Sequence, residues 1–246
     1  MKRIRRAYSK TVSLNDETAV QIYQSFVGKK KGFLLESYDK NNGRYVFMGK
    51  NPEEVVKSKE NGLVIEKEDG TTKELSGNPV DLLKGYYSDF EIRKDDEQLA
   101  FTGGLVGGLG YDFVRYKEEL PDNNPDEIGI STISLMLVTE FLSIDHFAET
   151  MTAVVVEDDT EAGRKKAMFR CEEMVKEAFA NIRKDEKSEF QPDGKIIKQS
   201  DTLEEYSEKV NKIKQYIIDG HVFQTVLSQR WTIETKQKGF DLYKEL

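Results

Sequence analysis

The sequence predicts an α+β fold built on antiparallel sheet, and three observations favour it. Short apolar runs are joined by turns of a few residues, which is the pattern of hairpins. Helical segments are interspersed among these hairpins and do not alternate strictly with single strands, as they would in a doubly wound parallel fold. The 246 residues are 37% hydrophobic and 33% charged, a balance typical of a globular chain with a sizeable core.

Composition and charge exclude several classes of function. The chain carries 37 Lys and Arg against 45 Asp and Glu, a net charge of −8 with no long basic block, so no nucleic-acid partner is expected. No apolar run approaches the roughly 20 residues of a membrane span, and no apolar stretch follows the basic start MKRIRR, so a signal peptide is not expected. One cysteine and two histidines do not favour a disulfide framework or a zinc site. We therefore expect a cytoplasmic protein.

The first half of the chain is predicted to form hairpins and short helices. Apolar side chains recur at helical spacing over Asp16–Phe26, and Asn15 precedes them as a candidate N-cap. Glu68-Asp69-Gly70 separates two short strand patterns and is a strong hairpin signal. The other predicted elements are strands over Gly32–Glu36, Arg44–Met48, Leu63–Glu66 and Thr71–Leu75, and a helix over Pro79–Tyr87.

Two apolar runs and a long helix follow. Ile130–Ile144 and Met151–Val156 are rich in Ile, Leu, Val and Thr, and the turn Asp145–Glu149 between them predicts an antiparallel pair. Thr160–Arg183 keeps a helical apolar period. Cys171 lies on that apolar stripe, so it is interpreted as a buried hydrophobic side chain and not as a reactive thiol.

The chain is predicted to divide near residue 184. Residues 184–200 are charged and contain Pro, Gly and Ser, as linkers do. Residues 1–183 would then form a first region, and residues 201–246 would begin a second one.

The second region opens with a clear helix signal. Thr202 and Glu205 form a capping-box pattern before an amphipathic helix that Gly220 stops. Val222–Thr232 is predicted as a strand, and Asp241–Leu246 as the opening of another helix. A chain that stops within a helix is expected to be incomplete at its C-terminus.

Local motifs do not specify a chemistry. In the glycine-rich segment Gly103–Gly110, a dinucleotide fingerprint that starts at Gly108 would need a glycine where Phe113 stands, and no Gly-Lys-Ser/Thr follows. The preferred interpretation is a strand that bends and lets another backbone approach closely. His146, next to Asp145, is interpreted as a turn residue, and no carboxylate spacing specifies a metal site.

Several blocks stand in a fixed order along nearly the whole chain: Leu34-Leu35-Glu36-Ser37, Gly43–Gly49, Gly103–Gly107, Gly110–Tyr116 with Leu120-Pro121, Ile144-Asp145-His146, Lys214–Ile217 with Gly220, and Val222–Arg230. Together they resemble the N-terminal half of the anthranilate synthase component I family. The resemblance implies an antiparallel β-sandwich flanked by helices, followed by the start of a chorismate-binding catalytic domain. The longer family chain carries its magnesium-binding glutamates and catalytic histidine in its second half, so no metal ligands are expected here.

The resemblance also implies an activity. The family converts chorismate and ammonia to anthranilate and pyruvate with Mg²⁺, the first step of tryptophan biosynthesis, and a glutamine amidotransferase subunit, component II, supplies the ammonia. This chain alone is expected to be inactive and to self-associate. Two alternatives stay open: aminodeoxychorismate synthase component I, which also uses chorismate and ammonia, and a non-catalytic module that binds an amino acid or a partner.

Tryptophan inhibits the family from the N-terminal β-sandwich, and the resemblance places this allosteric site on five residues. Glu36 and Ser37 would accept hydrogen bonds from the tryptophan ammonium, which has three donors to satisfy. Gly43, Arg44 and Tyr45 would form the opposite wall, with Arg44 or backbone amides binding the carboxylate.

Two further positions qualify the resemblance. The family often has Ser or Thr where this chain has Val46, so tryptophan is expected to bind more weakly, and Val46→Ser to improve binding. Related enzymes that add water to chorismate carry a lysine base where this chain has Gln224. Because glutamine is not a base at neutral pH, Gln224 is expected to line an active site that uses ammonia. An ordinary buried strand glutamine is the alternative.

Overall fold

The computed structural model describes residues 3–36, 43–94, 96–97, 99–121, 125–182 and 193–245. The chain divides into two compact units, Met1–Lys184 and Asp185–Leu246. Among the described residues, no helix is both long enough and apolar enough to cross a bilayer.

The first unit contains, within its described residues, eleven strands, three helices and a 3-10 turn. The strands are β1 Arg3–Ser13, β2 Gly32–Leu35, β3 Tyr45–Lys50, β4 Glu54–Lys59, β5 Gly62–Lys67, β6 Thr72–Ser76, β7 Phe90–Lys94, β8 Gly104–Leu109, β9 Ile133–Val138, β10 Glu140–Asp145 and β11 Thr150–Asp158. The helices are α1 Ala19–Phe26, α2 Pro79–Ser88 and α3 Glu161–Phe179, and the 3-10 turn is Tyr111–Tyr116.

The strands form two sheets, which confirms the α+β class. One sheet has six strands in the order β2-β3-β10-β11-β1-β7, and the other has five in the order β6-β5-β4-β9-β8. Neighbouring strands are antiparallel except β1 and β7, which pair in parallel. Parallel neighbours need a long connection, and here most of the first half of the unit lies between them.

Three apolar clusters arrange the sheets and helices in layers. The first cluster packs α1 and α3 on one face of the six-stranded sheet. The second lies between the two sheets, and the third lies under α2 on the outer face of the five-stranded sheet. Strand β11 shows how this arises, because alternate side chains point to opposite faces. Met151, Ala153 and Val155 belong to the first cluster, whereas Val154 and Val156 belong to the second.

The apolar run Ile130–Ile144 is not one strand, as predicted, but two. It breaks at Thr139, and β9 joins the five-stranded sheet while β10 joins the six-stranded sheet. The Thr139 carbonyl accepts a hydrogen bond at 2.8 Å from the amide of Val156, which belongs to β11. This bond ties the chain to the six-stranded sheet at the point where β10 begins. The hairpin after the break was predicted correctly, because β10 and β11 pair antiparallel.

The glycine-rich segment is a strand that another backbone approaches closely, as predicted. Gly107 of β8 lies against β9, and a Cβ built on Gly107 would stand 2.1 Å from the carbonyl oxygen of Ser134. A Cβ built on Gly103, just before the strand, would likewise stand 2.7 Å from the carbonyl oxygen of Val138. These glycines therefore serve sheet packing, not phosphate binding.

Helix ends follow local capping chemistry. Helix α1 begins three residues later than predicted from Asn15, because Thr18 and Gln21 form a capping box.

Cys171 is fully buried in the first cluster, as predicted, and burial raises the pKa of its thiol to about 12. The thiol is therefore protonated and inert at neutral pH.

The second unit contains, within its described residues, an antiparallel hairpin and two helices: β12 Lys195–Gln199 with β13 Trp231–Glu234, α4 Leu203–Ile218 and α5 Gly239–Glu245. The capping box of Thr202 and Glu205 is confirmed at the start of α4. After its end, Gly220 adopts a φ of +78°.

Two predictions for this unit are wrong. The stretch 184–200 is not all linker, because Lys195–Gln199 finds a partner strand, while residues 184–192 lie outside the described residues. Val222–Thr232 is not one strand: residues 222–230 are irregular, and β13 begins at Trp231. Apolar residues occur along the whole of Val222–Thr232 as they do in strands, but only the residues from Trp231 onward pair with another strand, β12.

Candidate functional site

A pocket of about 480 Å³ opens on the face of the six-stranded sheet that is turned toward the five-stranded sheet. It lies where β1, β3, β10 and β11 end or turn, next to the apolar cluster between the sheets. Its walls come from the strands, from the β10–β11 turn and from the segment before β8. The lining residues are Thr11, Arg44, Tyr45, Asp96, Leu99, Ala100, Phe101, Ser143, Asp145, Ala148, Thr150 and Thr152.

An ion pair stands at the pocket. Asp145 ends β10 opposite Tyr45 at the start of β3, so Arg44, one residue earlier, reaches the Asp145 carboxylate. The Arg44 Nη2 atom donates to Oδ2 at 2.7 Å, and Nε donates at 3.0 Å. The Arg44 guanidinium holds the pKa of the Asp145 carboxyl below its usual range, and the amides of Ala148 and Phe147 act in the same direction. The pocket therefore presents a fixed cation and a fixed anion side by side.

Aromatic rings form a continuous wall from the pocket into the core. The Arg44 guanidinium lies 4.9 Å from the centroid of the Tyr45 ring. Tyr45 stacks on Phe47 with centroids 6.0 Å apart, and Phe47 meets the edge of Phe101 at 5.6 Å. Phe101 in turn lies 4.8 Å from Phe141, which is fully buried. Tyr45 and Phe101 of this wall line the pocket and offer apolar ring surface to a ring-bearing ligand.

Hydroxyl groups line the floor. Thr11 of β1 and Thr152 of β11 are direct cross-strand partners, and their Oγ1 atoms are 2.9 Å apart. The Ser143 hydroxyl makes no hydrogen bond to any of the described residues and is available to a ligand. Charge, hydroxyl and aromatic groups are thus combined in one cavity, the usual composition of a small-molecule site.

The structure brings only part of the predicted tryptophan site together. Arg44 and Tyr45 line the pocket, and Gly43 directly precedes them, half-buried. Glu36 follows β2, is exposed, and does not line the pocket. Ser37 lies outside the described residues.

Val46, where the missing hydroxyl is expected to weaken tryptophan binding, does not line this pocket. Val46 pairs with Ile144, and both side chains are buried in the cluster that faces α1 and α3. Tyr45 and Phe47, on either side of Val46 in β3, face the opposite way. A hydroxyl at position 46 would therefore enter the helix-side core and not the pocket.

Sequence reasoning missed several lining residues. Thr11 was missed because Arg5, Arg6 and Lys10 hide the strand pattern of β1, although Tyr8 and Val12 face the first cluster. Other members come from an irregular segment, 99–101, which has no periodic signal. For Asp145 the sequence did contain a signal. Its negative charge stands at the end of one predicted strand, and the positive charge of Arg44 stands at the start of another.

Two predictions about chemistry remain without support from this geometry. Gln224 is exposed in the irregular segment before β13, and its active-site role stays a prediction. Among the described residues, no three Asp, Glu, His or Cys side chains lie together as metal ligands. The resemblance implies Mg²⁺ ligands in the second half of the longer family chain, and that also stays a prediction.

Comparisons with known proteins agree with the motif order. A family model described as chorismate binding enzyme matches residues 31–246. Anthranilate synthase component 1 of Acetivibrio thermocellus is 32% identical over 245 residues, covering 94% of this chain and 49% of the relative. Anthranilate synthase component 1 of Pseudomonas aeruginosa is 29% identical over 239 residues, with the same coverage of each.

A solved structure shows the same fold. The crystal structure of anthranilate synthase component I from Streptococcus pneumoniae TIGR4 superposes with a TM-score of 0.59 at 22% identity, covering 95% of this chain and 51% of that one. The chain spans about half the length of the curated relatives it matches. Because the family model matches well over half of its residues, the chain belongs to the chorismate binding enzyme family.

Proposed function

We propose that this chain forms the regulatory part, and the beginning of the catalytic domain, of a cytoplasmic anthranilate synthase component I. In the proposed reaction chorismate and ammonia give anthranilate and pyruvate, and an amidotransferase subunit supplies the ammonia. The proposal is supported by relatives named anthranilate synthase component 1 that cover 94% of the chain. The observation on which it depends most is the pocket beside Arg44, which has the groups that a free aromatic amino acid needs.

Tryptophan is the proposed ligand of this pocket. Its carboxylate would bind the Arg44 guanidinium, and its ammonium would bind Asp145, which stays ionised because its pKa is low. The indole would pack on the wall of Tyr45 and Phe101, beside Leu99. Hydrogen bonds to the charged groups of the ligand would thus replace some of those between Arg44 and Asp145.

The experiment is calorimetric titration of the chain with tryptophan. We expect weak, saturable binding that Asp145→Asn weakens by at least about tenfold, which is 1.4 kcal/mol. Glu36→Ala and Ser37→Ala test the site that the family resemblance implies. A loss of tryptophan affinity in these two variants with none in Asp145→Asn would favour that site over the pocket beside Arg44. Asp112→Asn, which changes an exposed carboxylate outside the pocket, is the matched control. If Asp145→Asn binds tryptophan as tightly as the unchanged chain, the ligand does not lie where we propose.

A non-catalytic, amino-acid-binding role is the second candidate, because the pocket lies wholly within the first unit and the described residues hold no metal-ligand cluster. Anthranilate fluorescence separates the two. We expect this chain to produce no anthranilate from chorismate, Mg²⁺ and ammonium, and turnover should appear only when it is combined with the remaining segment of a relative. If tryptophan binds and no combination is active, the binding-module interpretation is the better one.

A further inference from the structure

A second cleft, of about 550 Å³, lies in the layer where α2 packs on the outer face of the five-stranded sheet. The first pocket lies in a different layer, between the two sheets. Ile65, Leu75 and Leu82 supply the apolar walls of the second cleft, and they belong to the third apolar cluster. Its volume is within the range of small-molecule sites.

A buried carboxylate stands at the base of this cleft. Glu54 lies two residues before Val56, so both side chains share the face that packs under α2. Glu54 is only 7% exposed, although a buried carboxylate is unfavourable unless it is paired. Its one partner among the described residues is the Tyr86 hydroxyl, which donates to Oε2 at 2.5 Å.

The second oxygen of Glu54 faces the cleft. Every fully buried side-chain oxygen of the described residues has a hydrogen-bond partner. Since Oε1 of Glu54 has none, solvent must reach it, and Glu54 lines the cleft. Lys67 and Lys73 also line the cleft, but neither forms an ion pair with Glu54 among the described residues. A largely buried carboxylate with one solvent-accessible oxygen is suited to an incoming ammonium group.

Helix α2 keeps the cleft open at Gly85. Glycine in the interior of a helix is less favourable than alanine. No steric reason requires it here, because a Cβ on Gly85 would meet no atom within 4 Å. Gly85 lines the cleft, so any longer side chain at this position would occupy the space.

We propose that this cleft is a second ligand site, which binds a small primary monoamine with an apolar body. The ammonium group would donate to Glu54, and the apolar body would lie between Leu75 and Leu82. Lys67 and Lys73 would disfavour ligands with further positive charges, such as polyamines. Of the other carboxylates that line the cleft, Asp81 is already paired with Lys117 at 3.1 Å and Asp89 is exposed to water, so Glu54 is the buried acceptor.

The test uses three probes on the full chain, followed by amide chemical shifts and by calorimetry. Phenethylamine carries one ammonium on an apolar ring, 2-phenylethanol has the same body without charge, and spermidine is a polyamine. We expect saturable binding of phenethylamine alone, with amide chemical shift changes confined to α2, β4, β5 and β6. Binding of 2-phenylethanol with equal affinity, or no saturable binding of phenethylamine at millimolar concentration, would overturn the proposal.

Variants locate the site. Glu54→Gln should weaken phenethylamine binding at least tenfold, whereas Glu66→Gln, on the same sheet but outside the cleft, should leave it unchanged. Gly85→Leu fills the cleft from a helix position that tolerates a side chain, and it should abolish binding in a folded protein even if Glu54→Gln does not fold. Asp145→Asn, which alters the first pocket, should not affect phenethylamine. Unchanged affinity in Gly85→Leu would contradict the assignment.

Discussion

Tyr45 and Val46 are neighbours in the sequence, but the side chain of Tyr45 lines the pocket whereas that of Val46 packs in the core. Strand alternation directs Tyr45 to the pocket between the sheets and Val46 to the cluster under the helices, where it is 1% exposed. Family resemblance identifies a position but not the face to which its side chain points. The register with Ile144 supplies that information.

At Val46 the consequence is testable. Val46→Ser buries a hydroxyl without a partner and removes two methyl groups, so we expect it to lower the free energy of unfolding by about 2–4 kcal/mol. Tryptophan affinity should not improve. Val46→Ala is the matched control, since it removes the same apolar groups without adding a hydroxyl and should cost less. Urea unfolding with calorimetry on the same samples measures both quantities, and a tryptophan affinity gain in Val46→Ser would place the pocket on the other face.

Cys171 gives a pH-dependent prediction. Burial raises the pKa of its thiol to about 12, whereas an unfolded cysteine titrates near about 8.5. Between these values the folded chain keeps a proton that the unfolded chain loses, so the free energy of unfolding should fall as pH rises above about 8.5. Cys171→Ala should remove this slope. Native protein at pH 8 should resist iodoacetamide and react after unfolding; rapid alkylation of the native chain would contradict the burial.

At the scale of elements, the sequence predicted what local patterns control. The hairpin around Glu68-Asp69-Gly70, helix α2 and helix α3 were predicted because turn residues and apolar periods encode them. Strand β1 was not, because its charged side chains are paired only in the folded chain, as Arg5 is with Glu53. Likewise, the split of Ile130–Ile144 depends on which sheet each half joins, and that is a tertiary choice. The pocket depends on such choices, so only its β3 edge was predictable.

The β8–β9 pair offers a matched test at this scale. A side chain on Gly107 would collide with the Ser134 carbonyl at 2.1 Å, and its φ of +154° disfavours other residues. Gly107→Ala should therefore destabilise the chain by about 2 kcal/mol or more. At Gly108, where a Cβ meets nothing within 4 Å, alanine should change stability by no more than about 0.5 kcal/mol. Thermal unfolding of both variants decides, and equal melting temperatures would show that β8 does not approach β9 closely.

The two units of the whole molecule differ in how they bury apolar surface. All three core clusters belong to the first unit, so it has what an independently folding domain needs. In the described part of the second unit, Asp201 is the sole buried residue. Several large apolar side chains are mostly exposed there: Leu203, Ile218, Phe223 and Val226. Exposed apolar side chains of this size favour contact with another protein surface.

We therefore expect the chain to self-associate through its second unit. Two helices and a two-stranded hairpin leave these apolar side chains uncovered, so contact between copies is favoured as concentration rises. Light scattering coupled to size exclusion should show dimers or larger species for the full chain and a monomer for residues 1–184. The double variant Phe223→Ser with Ile218→Ser should shift the full chain toward monomer, whereas Phe147→Ser, which changes an equally exposed ring in the first unit, should not. A full chain that stays monomeric at millimolar concentration, or a residue 1–184 chain that associates equally, would show that the apolar faces of the second unit do not drive assembly.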